Sequence, residues 1–182
     1  IRPLFPKGFT NEVQVIALVL SHDGANDPDI LALQGASVAL GLAGAPVQRV
    51  GACRVGRVNG QFVVNPTYAE IEQGDLDLVV VSSRDGIIMV ESGAKEVPEE
   101  TMIEALRFGQ EQGLQTIALQ EELISGRVKS REPFPIHEVK AAFMEKVRKI
   151  AEPKLVEALK ARSEKEGGDS GKKALITDVL AQ

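Results

Sequence analysis

A glycine-bearing turn that opens a helix can cradle phosphate on its free backbone N–H groups. One stretch of this chain has that form, Gly24-Ala25-Asn26-Asp27-Pro28-Asp29, but its chemistry runs the other way. Two carboxylates, Asp27 and Asp29, would repel an anion there. A small-molecule kinase, which needs a Gly- and Ser-rich loop at this place, therefore ranks last among the readings. Three arginines, Arg49, Arg54 and Arg57, could form a basic strip. However, Arg54 and Arg57 differ by an odd number, so a regular strand sends them to opposite faces. A scattered, solvated set is the expectation. Arg127, Lys129 and Arg131 could touch phosphate, with plain solvent exposure as the default. Cys53 lies in a β-prone run with no His in the same motif and reads as a packed thiol. His22 and His137 sit near element boundaries, in surface or capping roles. Glu91 and Lys95 read as structural ion-pair partners, and Glu91 is not assigned as a general base.

The elements that would position these residues follow from pattern. Val13 to Leu20 (VQVIALVL) has the length of a buried strand. Asp27-Pro28 reads as N-cap and N1 of a helix reaching about Leu42. That helix is apolar almost all round, with Gln34 and Ser37 the exceptions, so burial on most sides is expected. Arg49 to Val58 and Gln61 to Asn65 flank Asn59-Gly60, a type I′ hairpin signal. Pro66-Thr67 to Gln73 reads as a short helix or turn. Asp77 to Ser82 and Gly86 to Glu91 form a second hairpin around Arg84-Asp85-Gly86. Pro98-Glu99-Glu100 opens a long helix with acids well placed against its dipole. Its apolar stripe runs through Ile103, Leu106, Gln110, Leu114, Ile117 and Ile124. Ile136, Val139, Phe143, Val147 and Ile150 mark an amphipathic helix, and Pro153 begins another. Residues 163–173 read as a mobile loop, and Ala174 to Leu180 as the opening of a third helix.

Hairpin strands followed by segregated helices argue an α+β fold and then an all-α unit. The domain reading is 1–126, a linker 127–135 and a helical unit 136–182. The chain has 182 residues, 43% of them apolar, no Trp and one Tyr, so its core must be aliphatic. No apolar window is long enough for a membrane helix. The single cysteine points to a reducing, cytoplasmic setting. A net charge of −5 confines any nucleic-acid contact to local patches.

Three stretches together carry a resemblance: RPLFPKGF at the start, NDPDILALQGASVALGLAG, and GDLDLVVV…IIMVESGAKEVPEE. They resemble the polynucleotide phosphorylases, in the later part of the first RNase PH-type domain (ribosomal protein S5 domain 2-like). The helices after residue 135 look like the start of that family's helical domain. The resemblance implies a fragment of a 3′-to-5′ phosphorolytic exoribonuclease of mRNA degradation. Phosphate attacks the terminal phosphodiester and releases a nucleoside diphosphate. It also implies magnesium in the parent enzyme, RNA and inorganic phosphate as substrates, and a ring-shaped homotrimer.

The same resemblance separates this stretch from the family's catalytic copy. There, a Gly-Asp-Met-Asp-Phe-Lys motif helps to hold the metal. Here the match is Gly74-Asp75-Leu76-Asp77-Leu78-Val79, with Val79 at the Lys position. Upstream, Tyr68 to Gln73 offers only Glu70 and Glu72. One carboxylate without partners makes a poor metal site. The expectation is therefore a non-catalytic copy, with no catalytic or metal-binding residue, serving trimer assembly and the RNA channel. Arg2 is the one residue carried over for RNA contact; its other reading is a cap on a frayed terminus. The rival function, from a different class, is a stand-alone RNA-binding or assembly module without activity. If early strands of the fold are missing, unpaired apolar edges would invite aggregation.

Overall fold

The computed structural model describes residues 1–128 and 134–163. The chain divides into two compact units, Ile1–Pro135 and Ile136–Gln182. The first unit is built on one antiparallel sheet. Strands β1 (Gly51–Val58), β2 (Gln61–Val64), β3 (Leu76–Ser83) and β4 (Gly86–Ala94) lie in the order β2-β1-β3-β4. Helix α1 (Asp29–Leu42) precedes the sheet, α2 (Tyr68–Gln73) joins the two hairpins, and α3 (Glu99–Ile124) follows β4. The α+β expectation holds in this unit.

Both hairpins form where turn chemistry demands. Asn59 and Gly60 have φ of 50° and 76°, so both sit in the left-handed region that a type I′ turn requires. Val58 pairs with Gln61 across it. In the second hairpin Ser83 pairs with Gly86. Helix α2 begins with a reciprocal cap, in which Thr67 and Glu70 each satisfy the other's backbone N–H.

Strand alternation gives the sheet two apolar faces. Cys53, Val55, Leu76, Leu78 and Val80 pack with Ala105 of α3. Val50, Ala52, Val79 and Val81 pack with Ile30 of α1. Helix α3 can approach closely because it presents glycine to the sheet. A Cβ on Gly51 would lie 1.9 Å from the Gly113 carbonyl oxygen, and one on Gly109 would lie 2.8 Å from Val80. The buried line of α3 is thus Ala105, Gly109, Gly113, Ile117 and Gln120. The stripe expected from apolar residues alone meets this line only at Ile117, and Ile103 is 49% exposed. Small residues win because the helix–sheet distance is set by the backbone.

Helix α1 corrects another expectation. It is buried on one side only, at Ile30, Ser37, Leu40 and Gly41, while Leu31 is 72% exposed. Two polar residues in its body also reach the sheet. Gln34 Nε2 donates to the Ala52 carbonyl at 2.9 Å, and Ser37 Oγ accepts from the Val50 N–H at 3.0 Å. The helix starts at Asp29 with Pro28 as N-cap, one residue later than expected. Asp27 still accepts the Asp29 N–H at 3.1 Å.

Val13 to Leu20 forms no strand and lies exposed, Leu20 at 93%. A strand exists only as part of a ladder, and no other segment among the described residues pairs with this one. In the second unit, α4 (Ala141–Ser163) begins after Ile136 and Val139 and runs through Pro153 without ending there. Proline removes a single rung, and good helix formers on both sides keep the remaining rungs intact. Of the loop expected at 163–173, Ser163 instead ends α4, and the rest of it and the helix expected at 174–180 lie outside the described residues. Among the described residues, no helix is long and apolar enough to cross a membrane.

Candidate functional site

The acidic turn before α1 and the two hairpins converge on Arg54. Residue 54 of β1 lies opposite Val79 of β3, and Gly56 lies opposite Asp77, so Arg54 and Asp77 share the α1 side of the sheet. The Arg54 guanidinium stands 2.8 Å from Asp29, 3.4 Å from Asp27 and 3.6 Å from Asp77. Its side chain is only 13% exposed. Burial by itself would lower the Arg54 pKa, but Asp29, with Asp77 and Asp27, outweighs it and holds the guanidinium above its ordinary value. Asn65, at φ 48°, locks this corner. Its side-chain oxygen accepts the Arg54 N–H at 3.0 Å, and its own N–H donates to the Arg54 carbonyl at 2.7 Å.

Arg57 faces the other side of the sheet, as its odd spacing from Arg54 predicts. It pairs with Asp75 at 2.9 Å. The Asp75 N–H also donates to the Arg57 carbonyl, and the Asp75 carbonyl accepts the Lys95 N–H. Lys95 Nζ donates to the Glu72 and Gly74 carbonyls at 3.2 and 2.8 Å, closing the end of α2. Lys95 therefore caps a helix and does not pair with Glu91, whose side chain is exposed. Cations prefer this position because the helix dipole leaves partial negative charge at its C-terminus.

The arginines are not a solvated set. Arg49 donates to the carbonyls of Ser37 (2.6 Å) and Val47. Burial lowers its pKa, with Glu121 opposing. Sequence parity separated Arg54 from Arg57 correctly. It could not supply their acidic partners, because those depend on strand register and on where the turn before α1 lands.

The other candidates fall apart in space or stay at the surface. Cys53 is buried, and burial raises its thiol pKa to about 11, against a smaller lowering from Asn65. His22 bonds the Asn26 carbonyl at 2.8 Å and packs edge-on to Tyr68. Asp23, which the sequence did not single out, closes the same turn. Its carboxylate accepts from Asn26 and Ala25 and is held down at about pKa 2. Arg127 donates to the Leu123 carbonyl at 2.8 Å, while Lys129 and Arg131 lie outside the described residues. His137 and Arg2 are exposed, and Arg2 opens a 3-10 turn, Arg2–Leu4.

Three carboxylates facing one guanidinium leave a formal excess of two negative charges beside α1, which is hostile to phosphate. The residues present do not fit a magnesium ion either. Asp75 is engaged by Arg57 and Asp77 by Arg54, two cations that face opposite sides of the sheet. Among the described residues, no group of three or more carboxylate, His or Cys side chains could hold a metal ion.

Residues 48–112, from the approach to β1 into α3, match the family model described as "3' exoribonuclease family, domain 2". The chain is 46% identical over 167 residues to the polyribonucleotide nucleotidyltransferase of Sulfurihydrogenibium sp. (strain YO3AOP1), covering 91% of this chain and 24% of that protein. It is 42% identical over 183 residues to the enzyme of that name from Hydrogenobaculum sp. (strain Y04AAS1), covering 100% of this chain and 25% of the relative. A Bacillus velezensis relative of the same name is 42% identical over 87% of this chain. The crystal structure of rice (Oryza sativa) Rrp46 aligns with a TM-score of 0.46 at 18% identity, over 59% of this chain and 50% of that one. The chain spans about a quarter of the length of the curated relatives it matches. Over that quarter the chain is similar to the polyribonucleotide nucleotidyltransferases, and residues 48–112 match domain 2 of the 3' exoribonuclease family.

Proposed function

We propose that this chain is the non-catalytic RNase PH-type part of a 3′-to-5′ phosphorolytic exoribonuclease, residues 1–126, joined by a linker, 127–135, to the start of a helical domain. Its parent protein takes RNA and inorganic phosphate to nucleoside diphosphates in the cytoplasm, using magnesium held elsewhere. This segment serves homotrimer assembly and lines the RNA path, with Arg2 contacting RNA. One observation carries the non-catalytic reading: the aspartates that match a metal-binding motif are each paired with an arginine, Asp77 with Arg54 and Asp75 with Arg57. A tethered guanidinium fixes charge without offering the open coordination positions that phosphoryl chemistry needs.

The test is nucleoside diphosphate release from RNA in phosphate and magnesium, with the full-length Sulfurihydrogenibium relative assayed in parallel. The relative should release product and the 182-residue chain should not. Product from the chain alone would overturn the non-catalytic assignment. A silent full-length relative would overturn the phosphorolytic one.

A further inference from the structure

We propose that Arg2, Phe5, Lys7 and Phe9 form a groove for one nucleotide of single-stranded RNA, an inference that rests on the RNA-handling reading above. The groove is a cavity of about 610 Å³ lined by these residues and by Asn11 and Leu40, among others. That volume falls within the roughly 300–1,000 Å³ typical of small-ligand sites. The Phe5 and Phe9 rings stack at 5.0 Å with 23° between planes, and Phe134 meets Phe9 edge-on at 5.7 Å. Aromatic rings of this kind give a nucleobase a π face to stack on without reading its identity.

Charge points to the same occupant. None of the lining residues is Asp or Glu, although the chain as a whole carries −5. Arg2 and Lys7 are exposed, and among the described residues neither pairs with a carboxylate. By contrast Arg49, Arg54, Arg57 and Arg84 are each committed to protein acceptors. Free cations beside stacked rings match the two ends of a nucleotide, its phosphate and its base. The Asn11 amide adds a donor and an acceptor for a base edge.

The backbone is arranged in advance. Pro3 lies in the 3-10 turn, the Phe5 N–H donates to the Arg2 carbonyl, and the Phe9 N–H donates to the Pro6 carbonyl at 3.1 Å. Gly8, at φ 88°, turns the chain so that Phe9 returns to Phe5. Little loop ordering is therefore left to oppose binding.

The experiment uses the 182-residue chain and a fluorescent oligouridine carrying one 4-thiouridine. Photocrosslinks should map to Phe5 or Phe9. Replacing the reactive nucleotide with an abasic one should weaken binding about 5- to 160-fold, the range of a lost base–aromatic stack. Phe5→Leu should weaken the normal oligomer by a similar factor and leave the abasic one unaffected. Lys7→Gln, an exposed change that leaves the fold intact, should flatten the log–log salt slope by about 0.7. Crosslinks confined to other segments would overturn the proposal, as would equal affinity for normal and abasic RNA. So would absence of binding by the unaltered chain, or capture of an apolar peptide in preference to RNA. None of these outcomes touches nucleoside diphosphate release by the full-length relative, so failure of this groove is separable from failure of the broader reading.

Discussion

Arg54 shows how much one side chain decides. Three carboxylates gather around a mostly buried guanidinium, and removing the cation leaves them facing one another. Breaking such a pair from one side costs more than the pair contributes, because the abandoned charges stay where they are. Arg54→Ala should destabilise the chain by about 2 kcal/mol, less than a fully enclosed pair because Asp29 is partly solvated. Urea unfolding checks this, and Asp29→Asn in the Arg54→Ala background should cost less than Asp29→Asn alone. Cys53 gives a second test. With its thiol buried and its pKa pushed up to about 11, almost no thiolate exists at pH 8. Ellman's reagent should fail to react with the native chain and should titrate one thiol once the chain is denatured. Rapid reaction in the native state would contradict the packed-thiol reading.

At the scale of elements, the sheet is positioned by what its helices lack. Helix α3 crosses β1 at Gly113 against Gly51, where backbone meets backbone. A methyl at residue 51 has nowhere to go, because the atom in its way is a carbonyl oxygen. Gly51→Ala should therefore cost about 1–3 kcal/mol and lower the Tm by several degrees, read by calorimetry. Gly60→Ala meets open space, and its cost comes only from φ 76°. The milder loss expected there separates crowding from backbone strain. Helix α1 makes the complementary point, since it holds the sheet through the Gln34 and Ser37 hydrogen bonds as well as through Ile30.

The first unit as a whole carries an apolar surface that its other described residues leave exposed. Val15 to Leu20 and the outer side of α1 together line an open cavity of about 510 Å³. Ile16, Leu18, Leu20 and Leu31 are each at least 70% exposed. A run of this length with unpaired backbone groups invites association with other chains. The chain should self-associate with rising concentration, as measured by light scattering. Leu18→Lys with Leu20→Lys should suppress association without lowering the Tm, since neither side chain is buried. A monodisperse monomer at high concentration would contradict this expectation.

Local grammar was legible from the sequence wherever a few adjacent residues decide the outcome. Asn59-Gly60 made a hairpin because both positions need positive φ; the reciprocal cap of Thr67 and Glu70 on α2 was equally local but went unread. The odd spacing of Arg54 and Arg57 put them on opposite faces because strand side chains alternate. The acidic character of the turn before α1 was readable from Asp27 and Asp29 alone. Tertiary structure decided everything that depended on a distant partner. Val13 to Leu20 looks like a strand but cannot be one without a neighbour to bond. The buried line of α3 follows the closeness of its backbone to β1, not the hydrophobicity of its own residues. The pairing of Arg54 with Asp27, Asp29 and Asp77, and of Arg57 with Asp75, required strand register and a folded turn. Electrostatic attraction acts over a few ångströms in space, and separation along the chain does not specify that distance.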